Sequence, residues 1–285
     1  MNNTWQHEYV QTNGIRMHYV TQGEGPLVIL LHGFPEFWYS WRHQIVALSS
    51  RFRVVAPDMR GYNDTDKPEG VQAYHISHLI ADVAGLIEAL GEKKAVVAGH
   101  DWGGGVAWAV AMYRPDVVEK LIILNAPHLG VFQQHILKNP RQSMRSWYMF
   151  FFQFREVPEK LLSMNNYAFV RRAFAGVLDE AEIDKYVEAI AKPGALTAAI
   201  NYYRASINEE YLLGAIGQPP PLPRITAPTL VIWGEEDPYL GRELVTETQS
   251  QIDGPFTLRW IPGCGHWVQQ EKPELVNQYM LEFLT

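Results

Sequence analysis

The chain has 285 residues, which is long for one domain but within reach of a single α/β domain that carries an insertion. Hydrophobic residues make up 47% of it and charged residues 19%, so it can form a buried core and gives no compositional case for disorder. The net charge of −7, without a clustered basic stripe, argues against nucleic acid or an anionic membrane as partner and favours a small, mostly neutral substrate.

The first eight residues lack the positive start and apolar stretch of a signal peptide. No apolar run approaches the roughly 20 residues that cross a bilayer, the nearest being residues 27–31. Cys264 is the only cysteine and cannot form an internal disulfide, so we interpret it as a space-filling side chain. We expect a soluble, cytoplasmic protein without a membrane partner, either a monomer or a homodimer.

Strand-like and helix-like segments alternate along the first half of the chain. Residues 8–11 and 15–19 flank Asn13-Gly14, a pair typical of a type I′ turn, and predict an antiparallel edge hairpin. Apolar residues spaced three and four apart predict a crossover helix over residues 76–90, ended by Gly91. Further apolar runs are continuous, as in parallel strands buried on both faces; they cover residues 27–31, 53–56, 95–98, 121–124 and 229–233.

The regular alternation stops after residue 127 and resumes after the proline-rich run 218–223. The insertion between them contains helix-like stretches at residues 145–154, 180–191 and 196–205. We therefore predict an α/β fold with a mostly parallel central sheet flanked by helices, whose core consists of residues 1–128 and 219–285. Residues 129–218 form a predicted helical cap over the carboxyl edge of the sheet.

One apolar run ends in residues 99–104 (Gly-His-Asp-Trp-Gly-Gly), where small residues surround a single aspartate. The pattern predicts a strand, a sharp turn that displays Asp101, and a helix. A carboxylate is ionised at neutral pH and can displace a leaving group from a saturated carbon, which leaves an ester. The helix start favours this charge, and the Trp102 amide supplies one oxyanion donor. We place the second donor at the amide of Phe34, after the first buried strand.

His266 lies in a glycine-rich loop after a predicted strand at residues 257–261 and best suits a general base. A carboxylate on its other ring nitrogen would fix its tautomer and stabilise the imidazolium. Asp237 is the predicted partner because it follows a strand and precedes a proline, while Glu235 and Glu236 stay as alternatives. His32, at the end of a buried strand, is interpreted as structural.

The order nucleophile, acid, histidine is that of the α/β-hydrolase fold. Residues 32–42, 99–104 and 265–267 together resemble the soluble epoxide hydrolases, and the resemblance spans nearly the whole chain. It implies two cap tyrosines that hold the epoxide oxygen, for which Tyr148 and Tyr203 stand in the matching contexts. Tyr202, adjacent to Tyr203, is the alternative. Phenols of pKa about 10 can hydrogen-bond or protonate the leaving oxygen of an epoxide.

The resemblance implies an enzyme that converts an apolar epoxide and water to a vicinal diol, through an Asp101 ester that water activated by His266 and Asp237 hydrolyses. No metal or organic cofactor is expected, and His75 with His78 is interpreted as a solvated pair. The cap aromatics predict an apolar cavity; they are Trp147, Phe150, Phe151, Phe152, Phe154, Phe169 and Phe174.

One position departs from the family pattern. Asn63 stands in the loop 60–68 where the family commonly has a second glycine. Asparagine tolerates a positive φ, so we expect the turn to survive.

Haloalkane dehalogenase is the main alternative, because it shares the fold, the aspartate nucleophile and the tryptophan after it. Its halide site would use the Trp102 indole and a second donor; Phe34 occupies the position that often carries an asparagine, and Trp147 remains a candidate. A fluoroacetate dehalogenase would carry arginines just after the nucleophile, and their absence here disfavours an anionic substrate. A ligand-binding protein without turnover would lack Asp101, His266 or the cap tyrosines, and all are present.

Overall fold

The computed structural model describes residues 5–207, 211 and 221–285. Its strands are β1 (Gln6–Thr12), β2 (Ile15–Gln22), β3 (Leu27–Leu31), β4 (Arg53–Pro57), β5 (Ala95–His100), β6 (Val118–Leu124), β7 (Thr229–Gly234) and β8 (Phe256–Ile261). They form one sheet in the order β1-β2-β4-β3-β5-β6-β7-β8. The first two pairings in this order are antiparallel and the other five are parallel. This confirms the predicted mostly parallel sheet.

The predicted edge hairpin is β1 and β2. Its turn residues, Asn13 and Gly14, both have positive φ angles of 44° and 76°, as a type I′ turn requires. Strands β3, β5 and β7 are buried along their whole length, which explains why their sequences are continuously apolar. The side chains of the sheet and the helices around it form one continuous hydrophobic core, in which Cys264 is buried as a free thiol.

The helices are α1 (Arg42–Leu48), α2 (Ile76–Ala89), α3 (Trp102–Tyr113), α4 (Leu129–Lys138), α5 (Pro140–Arg145), α6 (Trp147–Phe151), α7 (Val157–Phe174), α8 (Glu180–Ala191), α9 (Ala195–Ser206), α10 (Glu243–Thr248), α11 (Val268–Glu271) and α12 (Pro273–Leu284). Helix α3 packs against β3, β5 and β6, and α1 packs against β4 and α12. Helix α2 confirms the predicted crossover, with Gly91 at a φ of 84° just beyond it. None of the described helices is long and apolar enough to span a membrane.

Helices α4 to α9 lie in the insertion. Two of its three predicted helices correspond to α8 and α9, whereas the continuous helix predicted over residues 145–154 is wrong. The chain leaves the helical conformation at Ser146, with φ −96° and ψ 14°, where the Gln142 side chain donates to the buried hydroxyl. The sequence pattern also missed α7, whose apolar periodicity is interrupted. The predicted cap boundary at residue 218 lies outside the described residues.

Candidate active site

Asp101 lies in the turn between β5 and α3, with φ 51° and ψ −119°. This positive φ is rare for a residue with a side chain, and the surroundings enforce it. A Cβ atom at Gly99 would collide with the carbonyl of Gly103, and one at Gly103 would collide with the carbonyl of Leu31. Strand β5 and helix α3 can therefore approach closely only because glycines flank Asp101. The turn between them exposes the Asp101 carboxylate.

The two oxygens of the Asp101 carboxylate have different partners. Oδ1 accepts a hydrogen bond of 2.8 Å from the Phe34 amide, and Oδ2 lies 3.5 Å from Nε2 of His266. Burial favours a raised pKa for Asp101, but the contacts with His266 and with the Phe34 amide outweigh it and hold the pKa below its usual value. Trp102 is the first residue of α3, so its amide is one of the free N–H groups at the helix start.

His266 and Asp237 form a buried pair, with Nδ1 of the imidazole 2.7 Å from Oδ2 of the carboxylate. Asp237 Oδ1 accepts from the amides of Tyr239 and Leu240 at 2.7 and 2.9 Å. His266 first, and then the hydrogen bonds that its carboxylate accepts, including the one from the Leu240 amide, hold the pKa of Asp237 below its usual value, against the effect of burial. Asp237, rather than either neighbouring glutamate, is the acid at the histidine: Glu235 faces Arg242, and Glu236 is exposed.

The charge around His266 sets its protonation. Burial lowers the pKa of its imidazole, but the carboxylates of Asp237 and Asp101 outweigh burial and raise it to about 10. The resting site therefore holds an imidazolium between two carboxylates at neutral pH. Removal of either negative charge would lower the pKa of His266.

Asn125 is a site residue that the sequence reasoning missed. It follows the buried strand β6, has a φ of 40°, and donates from Nδ2 to Asp237 at 2.6 Å. Its Oδ1 accepts from the amide of Gly234 at 3.0 Å, which ties the ends of β6 and β7 together. A polar residue placed directly after a buried strand was the available signal.

A cavity of about 600 Å³ opens onto these groups and is lined by Asp101, His266, Tyr148 and Tyr203 together. Burial, together with the nearby Asp101 carboxylate, raises the pKa of both phenols well above its ordinary value, so both hydroxyls stay protonated. Tyr202 is placed differently: its hydroxyl donates to the backbone carbonyl of Arg60 at 2.7 Å. The structure therefore brings Tyr148 and Tyr203, and not Tyr202, to the cavity.

The other walls of the cavity are mostly apolar; they include Phe34, Met144, Trp147, Phe151, Phe152, Leu162 and Phe169. Not every predicted cap aromatic contributes, and Phe150 is one of those that do not line the cavity. Phe154 is 63% exposed, and Phe174 packs against Tyr186 and Trp267 inside the core. Trp147 is 61% exposed, which places it at the mouth.

The family model of the α/β hydrolase fold matches residues 26–273. The chain is 41% identical to the "AB hydrolase superfamily protein YfhM" of Bacillus subtilis, over 97% of each protein. It is 39% identical to "Epoxide hydrolase 4" of Mus musculus, over 96% of this chain and 78% of that one. The crystal structure of the Bacillus megaterium epoxide hydrolase in complex with an inhibitor superimposes with a TM-score of 0.90 at 33% identity, covering 97% of this chain and 99% of that chain. The chain belongs to the epoxide hydrolases of the α/β-hydrolase family.

Glu36 and His100, the residue before Asp101, form a second buried acid–imidazole pair to which the sequence pattern gave no role. Glu36 Oε2 lies 2.7 Å from Nδ1 of His100 and accepts from the amide of Gly33 at 2.9 Å. His100 Nε2 lies 2.9 Å from the backbone carbonyl of His266, and a carbonyl can only accept, so this nitrogen carries a proton. The pair thus connects the loop before Phe34 to the loop of His266.

Two further interpretations concern side chains outside the cavity. Nε2 of His32 accepts a hydrogen bond from the amide of Met59, and Nδ1 lies 3.0 Å from the carbonyl oxygen of Gly33. Both ring nitrogens therefore contact backbone groups. Asn63 adopts a φ of 40° and donates to the buried Asp58 at 2.8 Å. The turn therefore forms with asparagine at this position, as expected from the sequence, and the Asn63 side chain adds a hydrogen bond to it.

Proposed function

We propose that the protein hydrolyses an apolar epoxide to a vicinal diol through a covalent ester on Asp101. One observation carries the proposal: the ionised Asp101, the imidazole of His266 and the protonated phenols of Tyr148 and Tyr203 all line a single, mostly apolar cavity. A nucleophile, a base and two acids are the groups that the two-step reaction needs.

In the first step, Oδ2 of Asp101 attacks one epoxide carbon and breaks its bond to oxygen. Oδ1 is held by the Phe34 amide and becomes the carbonyl oxygen of the ester. The epoxide oxygen departs as an alkoxide, which takes its proton from Tyr148 or Tyr203. Two donors at this position favour epoxide opening over halide release, because an alkoxide needs a proton and a halide does not.

In the second step, the ester no longer carries the negative charge of Asp101, so the pKa of His266 falls and its imidazolium proton passes through solvent to the tyrosine that protonated the alkoxide. The neutral imidazole then takes a proton from water, and Asp237 stabilises the imidazolium that forms. The resulting hydroxide attacks Cγ, and the amides of Phe34 and Trp102 support the charge on the carbonyl oxygen. Breakdown of this intermediate transfers the proton of the new hydroxyl group on Cγ to the departing oxygen of the diol, which restores the carboxylate and leaves His266 protonated, as at the start.

The proposal extends to the organisation of the chain. Residues 1–128 and 219–285 form the hydrolase core, and residues 129–218 form the cap that supplies both tyrosines and most of the apolar wall. A small epoxide is the only partner that the reaction requires, with no cofactor, and the chain acts as a monomer or homodimer. A reducing cytoplasm suits its single free cysteine.

The test is a single turnover of styrene oxide, with enzyme in excess, in water enriched in heavy oxygen. Mass analysis of a diol that contains only ordinary oxygen supports the ester route, because the added oxygen then comes from Asp101. One heavy oxygen in that first diol indicates direct attack by water and contradicts the route. Asp101→Ala is the control and should form no diol. If the wild type forms none, a halide-release assay with haloalkanes tests the dehalogenase alternative.

A further inference from the structure

The exposed apolar side chains of this protein are concentrated on one part of the cap. Six of the ten large hydrophobic side chains that are exposed in the described structure lie within residues 140–174, the segment of α5, α6 and α7. These six side chains are 45% to 76% exposed; they are Met144, Trp147, Phe154, Val157, Leu161 and Met164. A large exposed apolar patch marks a surface that interacts with a partner or a membrane.

The first half of α7 turns an apolar face towards solvent. Val157, Leu161 and Met164 are spaced four and three residues apart, so they share one side of the helix. A surface helix ordinarily buries its apolar face against the core. Helical geometry stops at Met164, and Asn165 and Asn166 follow with positive φ angles of 51° and 52°. The helix before this break therefore has an apolar face that the described part of the chain leaves about half uncovered.

This face lies beside the mouth of the active-site cavity. Leu162, the neighbour of Leu161 on α7, lines the cavity, and Met144 and Trp147 line it from α5 and α6. The exposed apolar side chains of the three helices therefore stand around one opening. We call the six exposed side chains of residues 140–174 the apolar rim.

The same segment is basic, although the chain as a whole is acidic. Residues 140–174 contain six arginines and lysines and two glutamates, a net charge of +4, whereas the whole chain has a net charge of −7. Both glutamates are paired, Glu156 with Lys160 at 2.9 Å and Glu159 with Arg204 at 2.6 Å. The acidic groups of this segment are therefore neutralised locally.

Three arginines of the segment have no acidic partner. Arg141, Arg155 and Arg172 are exposed and form no ion pair among the residues that the structure describes. Arg155 lies between Phe154 and Val157 in the sequence, so a free cation is placed within the apolar rim. The surface combines apolar side chains with uncompensated positive charge.

We propose that the apolar rim and its arginines dock the protein on the surface of a bilayer that contains anionic lipids. The arginines bind lipid phosphates, while side chains such as Trp147, Phe154 and Leu161 enter the boundary between headgroups and acyl chains. An apolar epoxide concentrates in a bilayer, so the docked mouth faces the phase that holds the substrate. This consequence for activity rests on the proposed function, whereas the docking itself does not.

Charge selects a bilayer over a second copy of the chain. Two copies joined rim to rim would bring a charge of +4 against another +4, which is unfavourable. An anionic surface complements this segment and repels the acidic remainder of the chain, so the protein approaches it with the mouth foremost. The net charge of the whole chain argues against an anionic membrane, but it does not describe this face of the cap.

The first experiment is flotation of the full chain with vesicles of equal parts phosphatidylglycerol and phosphatidylcholine, and with vesicles of phosphatidylcholine alone. We expect binding to the anionic vesicles that added salt weakens, and much weaker binding to the neutral ones. Arg155→Gln should reduce the partition coefficient about fivefold, the contribution of one cation near an anionic surface. Leu161→Glu should reduce it about tenfold or more, because it removes an apolar contact and adds a negative charge.

Two exposed residues of the hydrolase core provide matched controls. Arg51→Gln removes a positive charge and Val46→Glu adds a negative one, both outside the cap, so neither should change vesicle binding. No binding of the wild type to the anionic vesicles, or equal binding of the wild type and both cap variants, would overturn the inference. A dimer in sedimentation velocity that Leu161→Glu dissociates, without vesicle binding, would assign the apolar rim to a second copy and also overturn it.

Activity separates this inference from the proposed function. Octadecene oxide held in anionic vesicles should be hydrolysed more slowly by Leu161→Glu than by the wild type, in proportion to the lost binding. Both should hydrolyse dissolved styrene oxide equally, because Leu161 does not line the cavity. Equal rates on octadecene oxide would overturn the role of docking in substrate supply. Absence of turnover of both epoxides by the wild type would overturn the proposed function, while flotation would still decide the docking.

Discussion

Replacing Asp101 with asparagine tests whether the nucleophile controls the protonation of the base. Asparagine has nearly the shape of aspartate, can still accept from the Phe34 amide, and lacks the negative charge, so it imitates the charge state of the ester. Unit charges 3.5 Å apart, the distance from Asp101 Oδ2 to His266 Nε2, interact by about 5 kcal/mol at an effective dielectric constant of about 20. This energy is enough to bring the pKa of His266 from about 10 down towards neutrality.

The assay is an NMR titration of the imidazole signals in the wild type and in Asp101→Asn, with the His266→Gln spectrum used to assign the signal. Asp116 offers a matched control, because it is an exposed aspartate paired with Arg114. The change Asp116→Asn should leave the titration of His266 where it is. If the imidazole in Asp101→Asn still titrates near 10, the nucleophile does not hold the proton and the account of the second step is wrong.

Three further outcomes are expected. His266→Gln should form the ester but hydrolyse it about a hundredfold or more slowly, leaving a mass-shifted enzyme; normal turnover would exclude His266 as the base. Tyr148→Phe and Tyr203→Phe should each slow ester formation, as measured by rapid-quench kinetics. Tyr202→Phe should instead keep turnover and lower the free energy of unfolding by about 1 kcal/mol, as measured by urea titration. Folding raises the pKa of His266, so the protonated imidazole contributes fully to stability below about pH 6.5, and this contribution is lost as the pH rises through about 10. The midpoint of urea unfolding should therefore fall over this pH range, and a constant midpoint would contradict the raised pKa.

Local patterns in the sequence were sufficient to predict the strands of the sheet. Continuous apolar runs such as Leu27–Leu31 are buried on both faces, and the Asn13-Gly14 turn has one favourable geometry, so neither depends on distant contacts. The break at Ser146 could not be predicted in this way. The Gln142 side chain binds the buried Ser146 hydroxyl at this point, whereas the sequence pattern there is that of a continuous helix.

The predicted site residues fall into two groups according to what fixes their position. Asp101 and His266 stand in glycine-rich turns at strand ends, where the allowed backbone leaves a narrow choice of direction for the side chain. Tyr202 and Tyr203 are adjacent on α9, and periodicity alone does not decide which hydroxyl enters the cavity. The structure places Tyr203 there because the Tyr202 hydroxyl is bound to the carbonyl of Arg60, a contact across 142 positions in sequence.

The same reasoning explains why arginine at the mouth was not foreseen. The net charge of the whole chain, −7, favours a mostly neutral substrate. The cavity itself is lined by charged or ionisable side chains of both signs, Asp101 and His266 as well as Arg145 and Arg172. Arg171 and Arg172 are consecutive in sequence, yet one is neutralised by two acids and the other has no partner in the described structure. The direction of the helix after the Asn165-Asn166 break brings Arg172, and not Arg171, to the cavity lining, a difference that composition does not record.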